Sequence, residues 1–186
     1  MIMAEKPFAL GLIVGRFQTL HLGHADMIEK ALAVCGRVGI FVGSSQESGT
    51  EKNPYSYEMR KRMLEAVFPG RLEIRPLPDR GLGNNSLWGQ YVLENAQSQF
   101  SSLPDLVISG REERRTSWFD ESGEGKMAEL IVPKSLDISA TALRHMLAED
   151  ERLEWQRYTP QALHGMYDEM REKVLASLEN TRTESI

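Results

Sequence analysis

The chain has 186 residues, 41% hydrophobic and 26% charged, close to the roughly 100–200 residues of one domain and unlike a disordered or fibrous composition. Such a chain buries about 70% of its unfolded surface and needs no disulfide or metal staple; its single cysteine, Cys35, and the lack of a leader-like apolar run before Pro7 point to a reducing cytoplasm. With 22 Lys and Arg against 27 Asp and Glu, a net charge of -5, the balance argues against a broad nucleic-acid footprint while allowing a local phosphate pocket, and no window reaches the roughly 18 apolar residues of a membrane span.

Strand and helix patterns then alternate along the chain. Residues 8–14 form an apolar run ended by Gly15, the pattern of a buried strand. Beyond a polar stretch, Ile28, Ala31, Leu32 and Cys35 recur at helical spacing, predicting a helix that Gly36 stops. Residues 38–42 read as a second buried strand, completing the strand–helix–strand unit of a parallel sheet. A Ser-, Gly-, Asn- and Pro-rich loop over 43–56 leads to a helix bearing Met59, Met63, Leu64, Val67 and Phe68, which Pro69 and Gly70 end. A strand over 72–77, a loop over 78–86 and a helix over 87–99 follow, then short strands over 106–108 and 130–132 and a helix over 140–147. A longer terminal helix over 161–179 keeps Leu163, Met166, Met170, Val174 and Leu178 in register, and a polar tail frays. No repeat or linker divides the chain, which predicts one domain over 1–186, with a core over about 8–148 and C-terminal helices over about 149–180. The fold class expected is α/β, a three-layer αβα sandwich around a central parallel sheet, with ligands at the carboxyl ends of the strands.

The first strand delivers Gly15-Arg-Phe-Gln-Thr-Leu-His-Leu-Gly-His24 to that edge. His21 and His24, three apart, fall on one side of a turn into a helix, and Gly23 between them leaves room for close backbone approach. A helix N-terminus supplies unpaired N–H groups, and Arg16 a permanent cation. Together these make a socket for a polyphosphate. A lone histidine at a helix start is ordinarily a cap, but the whole string is too polar and Gly-rich to be core.

The string resembles the G-R-F-Q-P-x-H-x-G-H signature of nucleotidylyltransferases, in the branch of archaeal-type nicotinamide-mononucleotide adenylyltransferases, with Thr19 in place of the proline. Ile138-Ser-Ala-Thr-Ala-Leu-Arg144 resembles the second signature, I-S-x-T-x-x-R. Here Ser139 is a good N-cap, Ile138 and Leu143 have the spacing of a hydrophobic staple, and Arg144 can lean back toward the same anion as Thr141. The segment from Gly43 to Arg60 is similar to the G-S-x-Q…K-N-P-F-T-x-x-E-R stretch, which makes Lys52 and Arg60 candidates for ligand phosphates, while Lys61 and Arg62 read as a solvated helix face. Asn84-Asn-Ser-Leu-Trp88 resembles the N-N-x-W stretch that holds the nicotinamide ring; a Trp in a helical pattern is otherwise more often core. Ile108-Ser-Gly110 matches the place where relatives bind adenine, although Arg111-Glu-Glu-Arg-Arg115 departs from them.

The resemblance, which covers about residues 10–147, implies a Rossmann-like nucleotidylyltransferase fold and transfer of AMP from ATP to nicotinamide or nicotinate mononucleotide, giving NAD or its acid counterpart and pyrophosphate. It implies catalytic roles for His21, His24, Arg16 and Arg144. ATP contacts would come from Gly15, Phe17, Gln18, Gly23, Ser109, Gly110, Ser139 and Thr141, and acceptor contacts from Lys52, Arg60, Asn84 and Trp88. A phosphomonoester has a second pKa of about 6, so the nucleophile is already ionised and no serine or carboxylate base is required. Mg²⁺ would arrive on the ATP phosphates rather than in a protein cage. Zinc at His21 and His24 lacks completing ligands, and there is no P-loop string. The other readings are a different phosphorylated acceptor, the class I aminoacyl-tRNA synthetase core, disfavoured by length and charge, and a nucleotide-binding regulator without turnover. Oligomeric state is not legible; relatives commonly assemble, so a homo-oligomer is allowed.

Overall fold

A computed structural model of the chain describes residues 5–82, 85–110, 127–134 and 136–184. In chain order the elements are β1 (Phe8–Gly15), α1 (Leu22–Val34), β2 (Cys35–Gly43), α2 (Tyr57–Val67), β3 (Glu73–Leu77), α3 (Asn85–Phe100), β4 (Leu106–Ser109), β5 (Ala128–Ile131), α4 (Ala140–Ala148), α5 (Arg152–Tyr158), a 3₁₀ turn (Gln161–Met166) and α6 (Tyr167–Glu184).

Among the described residues five strands form one sheet in the order β3-β2-β1-β4-β5, and each of their pairings is parallel. The chain steps outward from β1 to β3, then returns to the other side of β1 for β4. In open α/β sheets such a reversal opens a crevice at the carboxyl ends of the strands.

Alternation along the strands assigns the two faces. Ile13, Val38, Ile40, Val42, Leu106 and Ile108 join a large core with residues of α1, α2, α4, α5 and α6. Leu10, Leu12, Phe41, Leu77 and Val107 point to the other side, where α3 contributes Tyr91, Val92, Ala96 and Phe100. Each fully buried Leu, Ile or Phe contributes about 1.5–3 kcal/mol, so both helical layers are held on. Phe100 lies so close to the sheet that a Cβ at Gly39 would sit 3.0 Å from its ring.

Two sequence expectations need correction. Gly36 does not stop α1: the helix ends at Val34, and Cys35, capping it with extended backbone and an N–H bonded to the Ala31 carbonyl, already begins β2. Pairing of Cys35 with Phe8 draws the chain straight from helix into sheet. The terminal helix is also divided. Thr159 is extended and Pro160 has φ -56° and ψ 139°, so the 3₁₀ turn carries Leu163 and Met166, and α6 starts only at Tyr167. The preceding α5, not expected as a separate helix, buries Trp155 in the large core. Among the described residues no helix is long and apolar enough to cross a membrane.

Candidate functional site

A cavity of about 320 Å³ opens at the carboxyl ends of β1 and β4, between the N-termini of α1 and α4. The loop from β1 brings Arg16, His21 and His24 to it, the end of β4 brings Ser109 and Gly110, and α4 brings Ser139, Thr141 and Arg144. Among the described residues Arg16, Lys134 and Arg144 line the wall, and no carboxylate does. In a chain of net charge -5, that concentration of one sign marks a site for an anion.

The β1–α1 loop is held in an uncommon backbone conformation. Phe17 has φ +52°, where a bulky side chain is strained unless its surroundings fix it. Its ring is 1% exposed and lies 5.1 Å, centroid to centroid, from that of His24. A Cβ at Gly15 would meet the Phe17 ring at 3.1 Å, so the glycine allows the ring to fold back. Gln18 is pinned to Tyr55 by two bonds of 3.0 Å, its Nε2 donating to the carbonyl and its Oε1 accepting from the N–H. These two bonds hold its amide against the loop that carries Tyr55. Thr19, where the family has proline, is buried with its hydroxyl 3.5 Å from that of Tyr55.

The two histidines cap α1 reciprocally. His21 is the N-cap, and its Nδ1 accepts the His24 N–H at 3.3 Å, while His24 Nδ1 accepts the His21 N–H at 3.4 Å. The rings stack at 3.8 Å with 26° between planes. An Nδ1 that accepts carries no proton, so in the neutral ring the proton sits on Nε2. Burial, with the ammonium of Lys134, brings the His21 pKa down to about 4. Burial, with His21 beside it, holds His24 well below its ordinary value. Both rings are thus neutral Nε2–H donors at neutral pH. Gly23 fits the same arrangement: a Cβ there would lie 3.1 Å from the His21 ring.

On the opposite wall, Ser139 caps α4, its hydroxyl accepting the Ala142 N–H at 3.1 Å. Arg144 is aimed by Nη1 donating to the Gln18 carbonyl and Nη2 to the Thr141 hydroxyl at 3.2 Å. Burial draws its pKa downward.

Every residue expected at the ATP side lines this cavity: Gly15, Arg16, Phe17, Gln18, His21, Gly23, His24, Ser109, Gly110, Ser139, Thr141 and Arg144. Of the acceptor candidates, Lys52, Arg60 and Trp88 are not among its lining residues. Arg60 lies inside the scaffold. It is 0% exposed and donates to the carbonyls of Ser56 at 3.2 Å, Arg16 at 3.0 Å, Gly43 at 2.8 Å and Ser44 at 3.1 Å. It braces the carboxyl ends of β1 and β2 rather than facing a phosphate. Burial, with Arg16 nearby, lowers its pKa to about 10, so it stays charged at neutral pH. Lys52 is exposed and outside the cavity lining. Trp88 is half-buried against the α3 core, its ring 5.4 Å from that of Tyr91. Asn84 and the segment from Arg111 to Arg115 lie outside the described residues. Met27, Pro133, Lys134 and Leu136 line the cavity without having been singled out. All four fall outside the two signatures; Met27 follows the first by three positions and reads as ordinary helix core.

The cytidylyltransferase-like family model matches residues 12–146. A nicotinamide-nucleotide adenylyltransferase of Thermococcus onnurineus is 33% identical over 184 residues, covering 94% of this chain and 92% of that one. Its counterpart from Aeropyrum pernix is 35% identical over 148 residues, covering 75% and 80%. Among solved structures, a bifunctional NMN adenylyltransferase/ADP ribose pyrophosphatase from Francisella tularensis, complexed with AMP and a manganese ion, superposes with a TM-score of 0.75 at 20% identity. That match takes in 96% of this chain but only 54% of the other, so this chain spans about half its length, and the likeness is one of fold. By its signatures, its cavity and these matches, the chain belongs to the cytidylyltransferase-like family of nucleotidylyltransferases, alongside the archaeal nicotinamide-nucleotide adenylyltransferases.

Proposed function

We propose that the chain transfers AMP from ATP to the phosphate of nicotinamide mononucleotide, giving NAD and pyrophosphate. The observation that carries this reading is the cavity itself, whose wall, among the described residues, holds three cations and no carboxylate, beside two histidines whose Nδ1 atoms are taken up by the cap. The acceptor phosphate, dianionic above its second pKa of about 6, attacks the α-phosphorus of ATP. A new P–O bond forms, the bond to the β,γ-phosphates breaks, and pyrophosphate departs with the electron pair. No proton has to be removed from the nucleophile. The protein's part is to bring two anions together in line and to offset the charge that builds on the leaving group.

His21 and His24 fit that work as neutral donors, which stay in place whatever charge develops. Arg144, with Thr141 and Ser139, suits the β,γ end, and Arg16 the opposite side. ATP enters with its own Mg²⁺, a substrate-borne ion; a wall without carboxylates among the described residues suits a metal held by phosphate oxygens and water. Trp88 is the candidate to stack on the pyridine ring and Lys52 the one to meet the acceptor phosphate. A lone thiol and substrates that carry permanent charge suit the cytoplasm.

The test is pyrophosphate release from ATP and Mg²⁺ with nicotinamide mononucleotide, nicotinate mononucleotide or pantetheine phosphate, the product identified by mass. Formation of NAD with the first acceptor is expected. Turnover confined to pantetheine phosphate, or none with either pyridine nucleotide from protein that binds ATP, would overturn the assignment.

A further inference from the structure

Lys134 belongs to neither signature, yet it lines the cavity. Its placement follows from the fold. β5 runs beside β4, and one residue past its end the Val132 N–H still donates to the Ser109 carbonyl at 2.9 Å. Pro133, with its fixed φ, separates that anchor from Lys134. The side chain therefore leaves from a pinned root, on the far side of β4 from Arg16. With strands about 4.8 Å apart, β5 lies about 10 Å across the sheet from β1, a separation that a triphosphate and two long side chains can bridge. Among the described residues Lys134 makes no hydrogen bond or ion pair, and its side chain is exposed at the mouth. It is also near enough to His21 to help lower that ring's pKa.

We propose that Lys134 is a further substrate-contacting residue, which binds the triphosphate from the β5 side and holds the departing pyrophosphate. With it the socket is cationic on both flanks: Arg16 beyond β1, Lys134 beyond β5, and Arg144 across the mouth. A Lys suits the position because an ammonium on a flexible stem follows an anion whose shape changes during reaction. The inference rests on the reading of the cavity as a triphosphate site.

Calorimetric binding of tripolyphosphate separates the two claims, since it needs neither turnover nor acceptor. Wild type is expected to bind, with Lys134→Ala weaker by about tenfold, the scale of one charge-assisted bond at a partly exposed site. Lys134→Arg should restore most of the affinity. Lys61→Ala, on the solvated face of α2 and paired with Glu65 at 3.5 Å, should bind as wild type and controls for net charge. In turnover, Lys134→Ala should raise KM for ATP and leave KM for the acceptor unchanged. Binding by Lys134→Ala equal to wild type would overturn the role of Lys134 alone. Equal weakening by Lys61→Ala would overturn it as well, by showing a diffuse charge effect. Failure of wild type to bind tripolyphosphate would overturn the triphosphate reading and this inference with it.

Discussion

Above β1, β4 and β5 the sheet edge carries Arg144, and above β1 and β2 it carries Arg60; both arginines stand in strings that resemble family signatures, yet they do different work. Arg144 is half-buried, makes two hydrogen bonds and keeps part of its guanidinium on the cavity. Arg60 is wholly buried and makes four bonds, all to carbonyls. A carbonyl at a strand's carboxyl end has lost its partner in the sheet, and burying it without a donor costs about 1–3 kcal/mol. One planar fork meets several such carbonyls at once. Residue type therefore says that a guanidinium is needed at each place, and burial with bonding partners says whether it serves the scaffold or the ligand.

The largest effect should come from breaking the brace. Arg60→Ala leaves the carbonyls of Arg16, Gly43 and Ser44 without a donor and should destabilise the fold by about 3–5 kcal/mol in urea denaturation. Lys at that position has no fork to span them and should rescue little. A stable Arg60→Ala protein with only a raised acceptor KM would reverse the assignment and restore Arg60 to the ligand. Arg144→Ala is the counterpart: kcat/KM should fall by about a hundredfold, with thermal stability changed far less than for Arg60→Ala. Similar stability losses in the two variants would erase the contrast between them.

A smaller effect is expected at Trp88. If it stacks on the pyridine ring, Trp88→Ala should raise acceptor KM by about tenfold, the worth of one base–aromatic stack, and leave ATP KM alone. A fall in melting temperature without any change in KM would assign Trp88 to the α3 core.

The smallest effect is in pH dependence. The His21 pKa is lowered in the fold to about 4 from 6.5, so between those values the unfolded chain binds more protons than the folded one. Stability therefore rises with pH through that window and is complete above about 6.5. At neutral pH neither His21 nor His24 titrates, and an acid limb of kcat/KM near pH 6 should come from the acceptor phosphate. An NMR titration placing His21 above 6 would contradict the capping arrangement.

Much of this was legible in the sequence because it is local. The buried strands show as apolar runs, and both signatures contain their own capping residues, so His21 and Ser139 could be placed at helix starts, and Arg144 one turn beyond Ser139, from spacing. What was hidden depends on strand neighbours. Nothing around Arg60 in the chain says that the ends of β1 and β2 converge on it, and an isolated Lys134 looks like any solvated lysine until β5 is set beside β4. Cys35 belongs to β2 rather than to the helix because its partner is Phe8, 27 residues earlier in the chain. The terminal helix read too long because apolar spacing survives a 3₁₀ turn, whereas Pro160 was the mark of the break.

His24 tests the central claim most directly. Pyrophosphate release and equilibrium ATP binding should be measured side by side on wild type and His24→Ala. The account predicts turnover by wild type, a loss of about 10²–10³ in kcat on removing a donor to the leaving charge, and ATP affinity that falls by less than tenfold. Turnover that survives within a few-fold in the variant, or a wild type that binds ATP and releases no pyrophosphate with any acceptor, would contradict it and leave a nucleotide-binding regulator.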